Sequence, residues 1–235
     1  LKSLVSITQH SKKYEAHLFV TGMHMNPLYG ATIDEIRKYG FKNIHSFVNH
    51  ETIDNMDKIL AKTIQGFSDF IANIKPDLIV VHGDRVEAMA GAITGSLNNI
   101  LVAHIEGGEI SGTIDELIRH AVSKMSHIHL VANESAKTRL TQLGELPSSI
   151  FILGSPDLDL MRSNRLPSLE ETKKYYDIKF DKYSIAIFHP VTTEIKNIKI
   201  NVKEFVDALI KSKENYIIIF PNNDMGSKDI FEEYK

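Results

Sequence analysis

The chain contains no cysteine, which excludes disulfides, thiolate metal ligands and cysteine nucleophiles. It also has no apolar run near the roughly 20 residues that a membrane-spanning helix requires. There is no basic excess, because 27 Lys and Arg stand against 30 Asp and Glu, so binding to a nucleic-acid backbone is not indicated. We therefore expect a cytoplasmic protein that binds neither membranes nor nucleic acid.

Short apolar runs alternate with amphipathic segments along the 235 residues. Most runs are continuously apolar, which is typical of strands buried on both faces in a parallel sheet. Strands followed by helices predict a doubly wound α/β fold. The predicted strands are His17–Val20, Ile44–Val48, Leu78–Val81, Ile100–Ala103, Ile128–Val131, Ile150–Leu153, Ser184–Phe188 and Tyr216–Phe220.

The segment Ser163–Lys182 interrupts this alternation with Pro167 and the charged helix-like run Leu169–Tyr176. We interpret it as the connection between two Rossmann-like domains, residues 1–163 and residues 164–235. The sequence opens directly in a helix-like stretch and closes in another. We therefore expect a strand to be missing ahead of Leu1 and the second domain to be incomplete.

Polar or glycine-containing signatures follow directly on the apolar runs. In open parallel sheets ligands bind at the carboxyl ends of the strands, so we expect these signatures to converge along one edge. They are Thr21–His24, His82–Arg85, His104–Glu109, Gly154–Asp157, His189–Pro190 and Pro221–Asp224.

Two carboxylates in these signatures are candidates for chemistry. Asp84 also fits the start of a helix, where Glu87 would complete a capping-box-like pair, and this structural role is the main alternative. For Glu106 a structural role is a weaker alternative, since no helix is predicted to begin there. Gly107 and Gly108 after it would let a ligand approach the main chain closely.

The segment from Thr113 to Glu116 predicts a capping box at the start of the helix that carries Arg119. Glu116 is then purely structural. Asp115 and Arg119 lie four residues apart, so they form either a surface ion pair or, in a cleft, a pair that holds a carboxylate in position.

His127 and His129 stand two apart in a strand-like run and would face the same side. A zinc site is disfavoured because no third ligand stands at a recognisable spacing. We predict packing roles for both and no metal site.

These signatures resemble the hydrolysing UDP-N-acetylglucosamine 2-epimerases of the sialic-acid type. The resemblance covers nearly the whole chain, and its most specific part is the long run from His104 to His120. It implies a GT-B-like architecture of two Rossmann-like domains, with one family loop lying before Leu1 and part of the nucleotide site lying after Lys235. The matching stretches are Thr21–Thr32, Val81–Ala88, His104–His120, His127–Val131, His189–Glu194 and Phe220–Lys228.

The resemblance implies a reaction that needs no cofactor. The substrate would be UDP-N-acetylglucosamine or a UDP- or GDP-linked 2,4-diacetamido-2,4,6-trideoxyglucose. Loss of the nucleoside diphosphate builds positive charge at C1, a carboxylate removes the C2 proton to give a glycal, and water adds across the double bond. Two carboxyl groups in different protonation states suit this chemistry. Relatives also tend to form homo-oligomers.

By resemblance, Asp84, Glu106 and Asp115 form the acid/base set and Arg119 orients them, with the base and the acid left unassigned. Other positions match residues that contact the nucleotide or the sugar, and these are His24, Arg85, His189, Asn222 and Lys228. Non-hydrolysing relatives carry a histidine near Asn222 and Asn223, so this departure favours the hydrolysing branch.

Two other functions fit the same fold. A GT-B glycosyltransferase would pass the sugar to an acceptor and would need no cluster of three carboxylates at the sugar. A non-catalytic module would have no need of so many buried charges.

Overall fold

The computed structural model describes residues 1–50, 55–163, 166–222 and 224–235. The chain divides into two compact units, Leu1–Ser163 and Asn164–Lys235. The strands are β1 Leu18–Val20, β2 Ile44–Ser46, β3 Leu78–His82, β4 Leu101–Ile105, β5 Ile128–Val131, β6 Ile150–Ile152, β7 Ser184–Ile187 and β8 Tyr216–Ile219. The helices are α1 Lys2–His10, α2 Ile33–Lys38, α3 Met56–Ile74, α4 Val86–Leu97, α5 Ile114–Lys124, α6 Glu134–Gln142, α7 Pro156–Met161, α8 Leu169–Tyr175, α9 Ile198–Ser212 and α10 Ser227–Glu233.

All the strand pairs recorded in the described residues are parallel. In the first unit β3, β4, β5 and β6 form one sheet in chain order, while β1 pairs with β2. In the second unit β7 pairs with β8. The predicted α/β fold with parallel strands is therefore confirmed. No helix in the described part of the chain is long and apolar enough to cross a membrane.

One face of the four-stranded sheet holds the main core of the first unit. Ile79 and Val102 point to this face and pack with Phe67 from α3, Val86 from α4 and Val122 from α5. Phe19 of β1 meets Phe67 edge-on, with ring centroids 5.0 Å apart, so the small sheet packs on the same helix. Both sheets of the first unit therefore pack on the same apolar layer, which holds their strands in place.

The opposite face of the sheet is buried only in part, unlike the sequence prediction. Leu78, Val80 and Leu101 are exposed by 43%, 37% and 51%, while their alternate neighbours are buried. Ile185 and Ile187 of β7 are exposed in the same way. The prediction of burial on both faces is therefore wrong for β3 and β7, whereas in β4 Ala103 and Ile105, on the same face as Leu101, are buried.

The second unit has its own small core. Ile198 and Val202 of α9 pack with Ile230 of α10, and all three are buried. Ahead of β7, helix α8 begins at a capping box in which Ser168 and Glu171 each bond the other's main-chain N–H.

Candidate active site

Glu106 stands directly after β4 in a left-handed backbone conformation, with φ of +60°. Such a conformation costs a residue with a Cβ roughly 1–2 kcal/mol. It persists here because the Glu106 N–H donates to the Leu130 carbonyl at 2.8 Å and continues the sheet ladder. Gly107 must lack a side chain, since a Cβ there would lie 2.8 Å from His104 Nδ1. The turn therefore aims the Glu106 carboxylate out of the strand end.

Two short hydrogen bonds hold that carboxylate. His82, the last residue of β3, places Nε2 at 2.7 Å from Oε2, and the Ser155 hydroxyl donates to Oε1 at 2.6 Å. Burial disfavours the charged form of Glu106, but the bonds from Ser155 and His82 and the charge of Arg119 outweigh it and lower its pKa. Glu106 is therefore held as a carboxylate.

Arg119 of α5 links Glu106 to Asp84. One guanidinium nitrogen, Nη1, donates to the Glu106 carbonyl at 2.7 Å, and the other, Nη2, donates to Oδ2 of Asp84. The N-cap of α4 is Arg85, without a side-chain cap bond. The capping role considered for Asp84 is therefore wrong, because its carboxylate binds the guanidinium instead.

The fully buried His104 supports the loop that carries Asp84. His104 Nε2 lies 2.8 Å from the Gly83 carbonyl, which only accepts, so Nε2 carries the proton and Nδ1 accepts from the Ser123 hydroxyl at 3.0 Å. Burial lowers the pKa of His104 to about 4, against the opposing Gly83 bond and with help from His129, Arg119 and His82. A neutral imidazole thus anchors the loop that carries Asp84.

Asp115 and Glu116 lie in the first turn of α5 with different roles. Asp115 Oδ2 accepts a bond from the Thr113 hydroxyl at 3.3 Å. Glu116 Oε2 accepts from the main-chain N–H groups of Ser111 and Gly112, at 2.8 and 2.7 Å, and these bonds lower its pKa. The predicted Thr113–Glu116 capping box is wrong, since the Thr113 side chain makes no cap bond, although Glu116 is structural as expected.

The first signature, Thr21–His24, follows β1. His24 Nδ1 lies 2.7 Å from Thr32 Oγ1, and burial lowers the pKa of His24 while Glu87 opposes this. Fully buried Asn49 accepts from the Gly22 N–H at 3.2 Å and donates to Glu87 Oε1 at 3.1 Å. Glu87, predicted as a capping partner of Asp84, instead accepts a bond from Asn49 and so helps to hold the loop that carries His24.

In the second unit the two strand ends also meet. His189 Nδ1 accepts from the Asn222 N–H at 3.2 Å, which joins the segments after β7 and β8. Asn222 in turn donates its side-chain amide to Asp224 at 2.6 Å. Lys228 is exposed in the first turn of α10. Asn223, part of the predicted hydrolysing signature, lies outside the described residues.

The model of the family described as UDP-N-acetylglucosamine 2-epimerase matches residues 6–235. The chain belongs to this family. A UDP-N-acetylglucosamine 2-epimerase from Neisseria meningitidis is 48% identical over 233 residues, which cover 99% of this chain and 62% of the relative. A hydrolysing UDP-N,N'-diacetylbacillosamine 2-epimerase from Legionella pneumophila is 33% identical over 241 residues, covering 100% of this chain and 64% of the relative.

A solved structure of UDP-GlcNAc 2-epimerase from Neisseria meningitidis, bound to UDP-GlcNAc, has the same fold. The TM-score is 0.77 at 17% identity, covering 98% of this chain and 64% of the other. These findings confirm the resemblance to the UDP-N-acetylglucosamine 2-epimerase family. This epimerase-family chain spans less than two thirds of the length of these relatives.

Direct contacts unite three of the predicted site residues, Asp84, Glu106 and Arg119. Sequence reasoning missed the two side chains that hold Glu106, namely His82 and Ser155. Both residues lie in the polar signatures that follow predicted strands, so their position in the sequence could have identified them as candidates.

The contacts of His127 and His129 test the roles predicted for this pair. It is fully buried, with Nε2 3.2 Å from Oε2 of Glu145, while His127 Nδ1 accepts from the Val102 N–H at 3.1 Å. The burial of His129 agrees with the packing role expected for it, whereas His127 is exposed. Among the described residues no group of three or more His, Cys, Asp or Glu is placed to hold a metal.

Proposed function

We propose that this chain carries the acid/base machinery of a hydrolysing 2-epimerase that acts on a nucleotide-linked 2-acetamido sugar. Its products are the free manno-configured sugar and the nucleoside diphosphate. The supporting observation is the bridge made by Arg119, which binds the Asp84 carboxylate and the main-chain carbonyl of Glu106 and so joins the turns after β3 and β4 at one edge of the sheet.

The reaction proceeds in two stages. As the C1–O bond breaks, its electron pair leaves with the nucleoside diphosphate, and a carboxylate takes the C2 proton to leave a C1–C2 double bond. Water then adds its hydroxyl to C1, while a carboxylic acid protonates C2 from the opposite face. We assign Asp84, Glu106 and Asp115 to the acid/base set. Each such group typically contributes 10²–10⁴-fold in rate.

The remaining assignments concern substrate binding. His24 serves the sugar, while Arg85, His189, Asn222 and Lys228 serve the nucleotide or the charge that develops on it. Their side chains are of types that donate hydrogen bonds to phosphate oxygens. The Neisseria relative is named for UDP-N-acetylglucosamine and the Legionella relative for a UDP-linked diacetamido sugar. We take UDP-N-acetylglucosamine as the first candidate, since the former relative is more similar.

The test is to incubate the protein that carries this chain with UDP-N-acetylglucosamine and no acceptor, in ²H₂O and separately in H₂¹⁸O. Hydrolytic epimerisation gives UDP and free N-acetylmannosamine, with deuterium at C2 and ¹⁸O at C1. Appearance of UDP-N-acetylmannosamine without free sugar would indicate the non-hydrolysing reaction instead. UDP release that requires an added acceptor would indicate a glycosyltransferase.

Substitutions test the residue assignment in the same assay. Asp84→Asn, Glu106→Gln and Asp115→Asn each keep side-chain shape and remove an ionisable group, and each should lower kcat by about 10²–10⁴-fold. Glu116→Gln is the matched control, because Glu116 lies on the same helix turn as Asp115 and bonds only main-chain groups and His120 in the recorded contacts. Unchanged activity in Asp84→Asn would refute the assignment.

A further inference from the structure

The environment of Glu106 distinguishes it from the other carboxylates of the set. Its two oxygens each have a separate donor, His82 on Oε2 and Ser155 on Oε1. These donors come from β3 and from the residue ahead of α7, on opposite sides of β4 in the sheet order. With both ends of the carboxylate held, its rotation about the terminal bond is restricted.

We propose that His82 is a positioning residue for Glu106, and that together with Ser155 it keeps the carboxylate ionised and oriented as the base that takes the C2 proton. This rests on the proposed function. His82 is suited to the role because it ends β3 level with Ile105, so the adjacent strand delivers the ring beside Glu106. Its contact distance of 2.7 Å is that of a charge-assisted bond.

The charged groups His82 and Arg119 around Glu106 both favour its ionised form. Arg119 faces Glu106 from α5, and the other terminal nitrogen of its guanidinium binds the carboxylate of Asp84. His104 of β4 lies near His82 and Arg119 and is kept neutral by its burial, which lowers its pKa. The contact ahead of α7 is made by the Ser155 hydroxyl, which carries no charge that changes with pH. The imidazole of His82 is therefore the nearest titratable donor to Glu106 in the recorded contacts.

The titration of Glu106 distinguishes a positioning role of His82 from a purely structural one. A donor to the carboxylate lowers its pKa, so its removal should raise that pKa and move the acidic limb of the rate profile to higher pH. In His82→Phe and in Ser155→Ala we expect the pKa of Glu106 to rise. In His82→Gln, whose amide retains an N–H donor, it should stay near the original value.

The first measurement needs no substrate. The chain is labelled with ¹³C at the glutamate carboxyl carbons, the Glu106 signal is assigned with Glu106→Gln, and its titration is followed in each variant. His10→Gln is the control, because His10 lies on α1 and bonds only Ser6 in the recorded contacts. Circular dichroism identifies any variant that fails to fold, and His82→Leu, which also lacks a donor, then replaces His82→Phe. An unchanged Glu106 titration in His82→Phe overturns the proposal.

The second measurement is the pH dependence of kcat/KM in the protein that carries this chain. We expect His82→Phe to lower kcat by about 10²-fold, with little change in KM, and His82→Gln to recover most of the loss. Equal loss in both His82 variants, without movement of the acidic limb, also overturns the proposal. Should the original protein prove inactive on nucleotide sugars, the proposed function fails, whereas the carboxyl titration still decides whether His82 controls Glu106.

Discussion

The guanidinium of Arg119 binds the carboxylate of Asp84 and, through its other terminal nitrogen, the main-chain carbonyl of Glu106. One side chain from α5 therefore ties together the turns that follow β3 and β4. The Arg119 side chain is 13% exposed and that of Asp84 24%, so solvent screens their attraction only partly. Both the direction of Asp84 and the position of the Glu106 turn depend on this forked contact.

Arg119→Lys should reduce kcat/KM by about 10²-fold, although the positive charge is kept. A lysine ammonium acts as a point charge and cannot hold two acceptors in the fixed geometry of a guanidinium. Steady-state assays with the nucleotide sugar measure the effect. Arg119→Met should reduce kcat/KM further than Arg119→Lys does. It should also lower the free energy of unfolding by about 1–3 kcal/mol, because Asp84 loses its partner.

Arg139→Lys supplies the control for this loss. Arg139 is also a partly buried arginine that donates to a main-chain carbonyl, that of Gly108, but no contact to Asp84 or Glu106 is recorded for it. Full activity in Arg119→Lys would mean that charge alone is sufficient and that the forked contact is dispensable.

Acidification should destabilise the chain through His104. Its folded-state pKa of about 4 lies below the ordinary value of 6.5, so between these values the unfolded chain binds the additional proton. Stability should therefore be fully present above pH 6.5, fall as the pH drops to 4, and lose about 3 kcal/mol from this group. Urea unfolding at a series of pH values measures the slope.

The variant His104→Gln isolates this contribution, since an amide can donate to Gly83 and accept from Ser123 without titrating. His129 and His24 also have lowered pKa values and remain in both proteins. The difference between the two unfolding series is therefore due to His104. Parallel curves from pH 7 to pH 4 would contradict a neutral, buried His104.

Much of the fold was predictable because the strands are continuous apolar runs. The observed strand limits fall within about two residues of the predicted ones. Helix α3 ends at Ile74, with Lys75 left-handed ahead of Pro76. The candidate carboxylates were also accessible to sequence reasoning, because parallel topology places polar signatures at the strand ends. These predictions require only local pattern and the rule that ligands bind there.

The partners of the carboxylates were not predictable from local pattern. The contact between His82 and Glu106 depends on β3 and β4 being neighbours in register, and Ser155 reaches Glu106 across 49 positions of sequence. The capping predictions failed for a related reason, because Asp84 and Thr113 fit a local cap but have other partners in the folded chain. Which face of the sheet is covered is likewise a property of tertiary packing.

Asn49→Ala should lower the free energy of unfolding by about 1–3 kcal/mol and weaken the His24 loop. Asn49 is fully buried and bonds the Gly22 N–H, the Thr63 hydroxyl and Glu87, so its removal leaves buried polar groups without a partner. Urea unfolding gives the stability change, and activity assays should show a raised KM for the sugar. Asn73→Ala is the control, since exposed Asn73 bonds only the Asp69 carbonyl within its own helix in the recorded contacts. Equal stability losses in the two variants would contradict the special role of Asn49.

The turn after Glu106 should tolerate no side chain at Gly108. There φ is +78°, and a Cβ would lie 2.6 Å from the Ala136 carbonyl oxygen and 3.0 Å from Leu140. Gly112 has a similar φ of +69° but nothing within 4 Å of the added atom. Gly112→Ala therefore measures the backbone cost alone, about 1–2 kcal/mol, while Gly108→Ala should cost about 1–3 kcal/mol more because main-chain atoms of α6 obstruct the methyl group. Thermal and urea unfolding of the two variants compare these costs, and a Gly108→Ala protein no less stable than Gly112→Ala would mean that α6 moves freely away from the Glu106 turn.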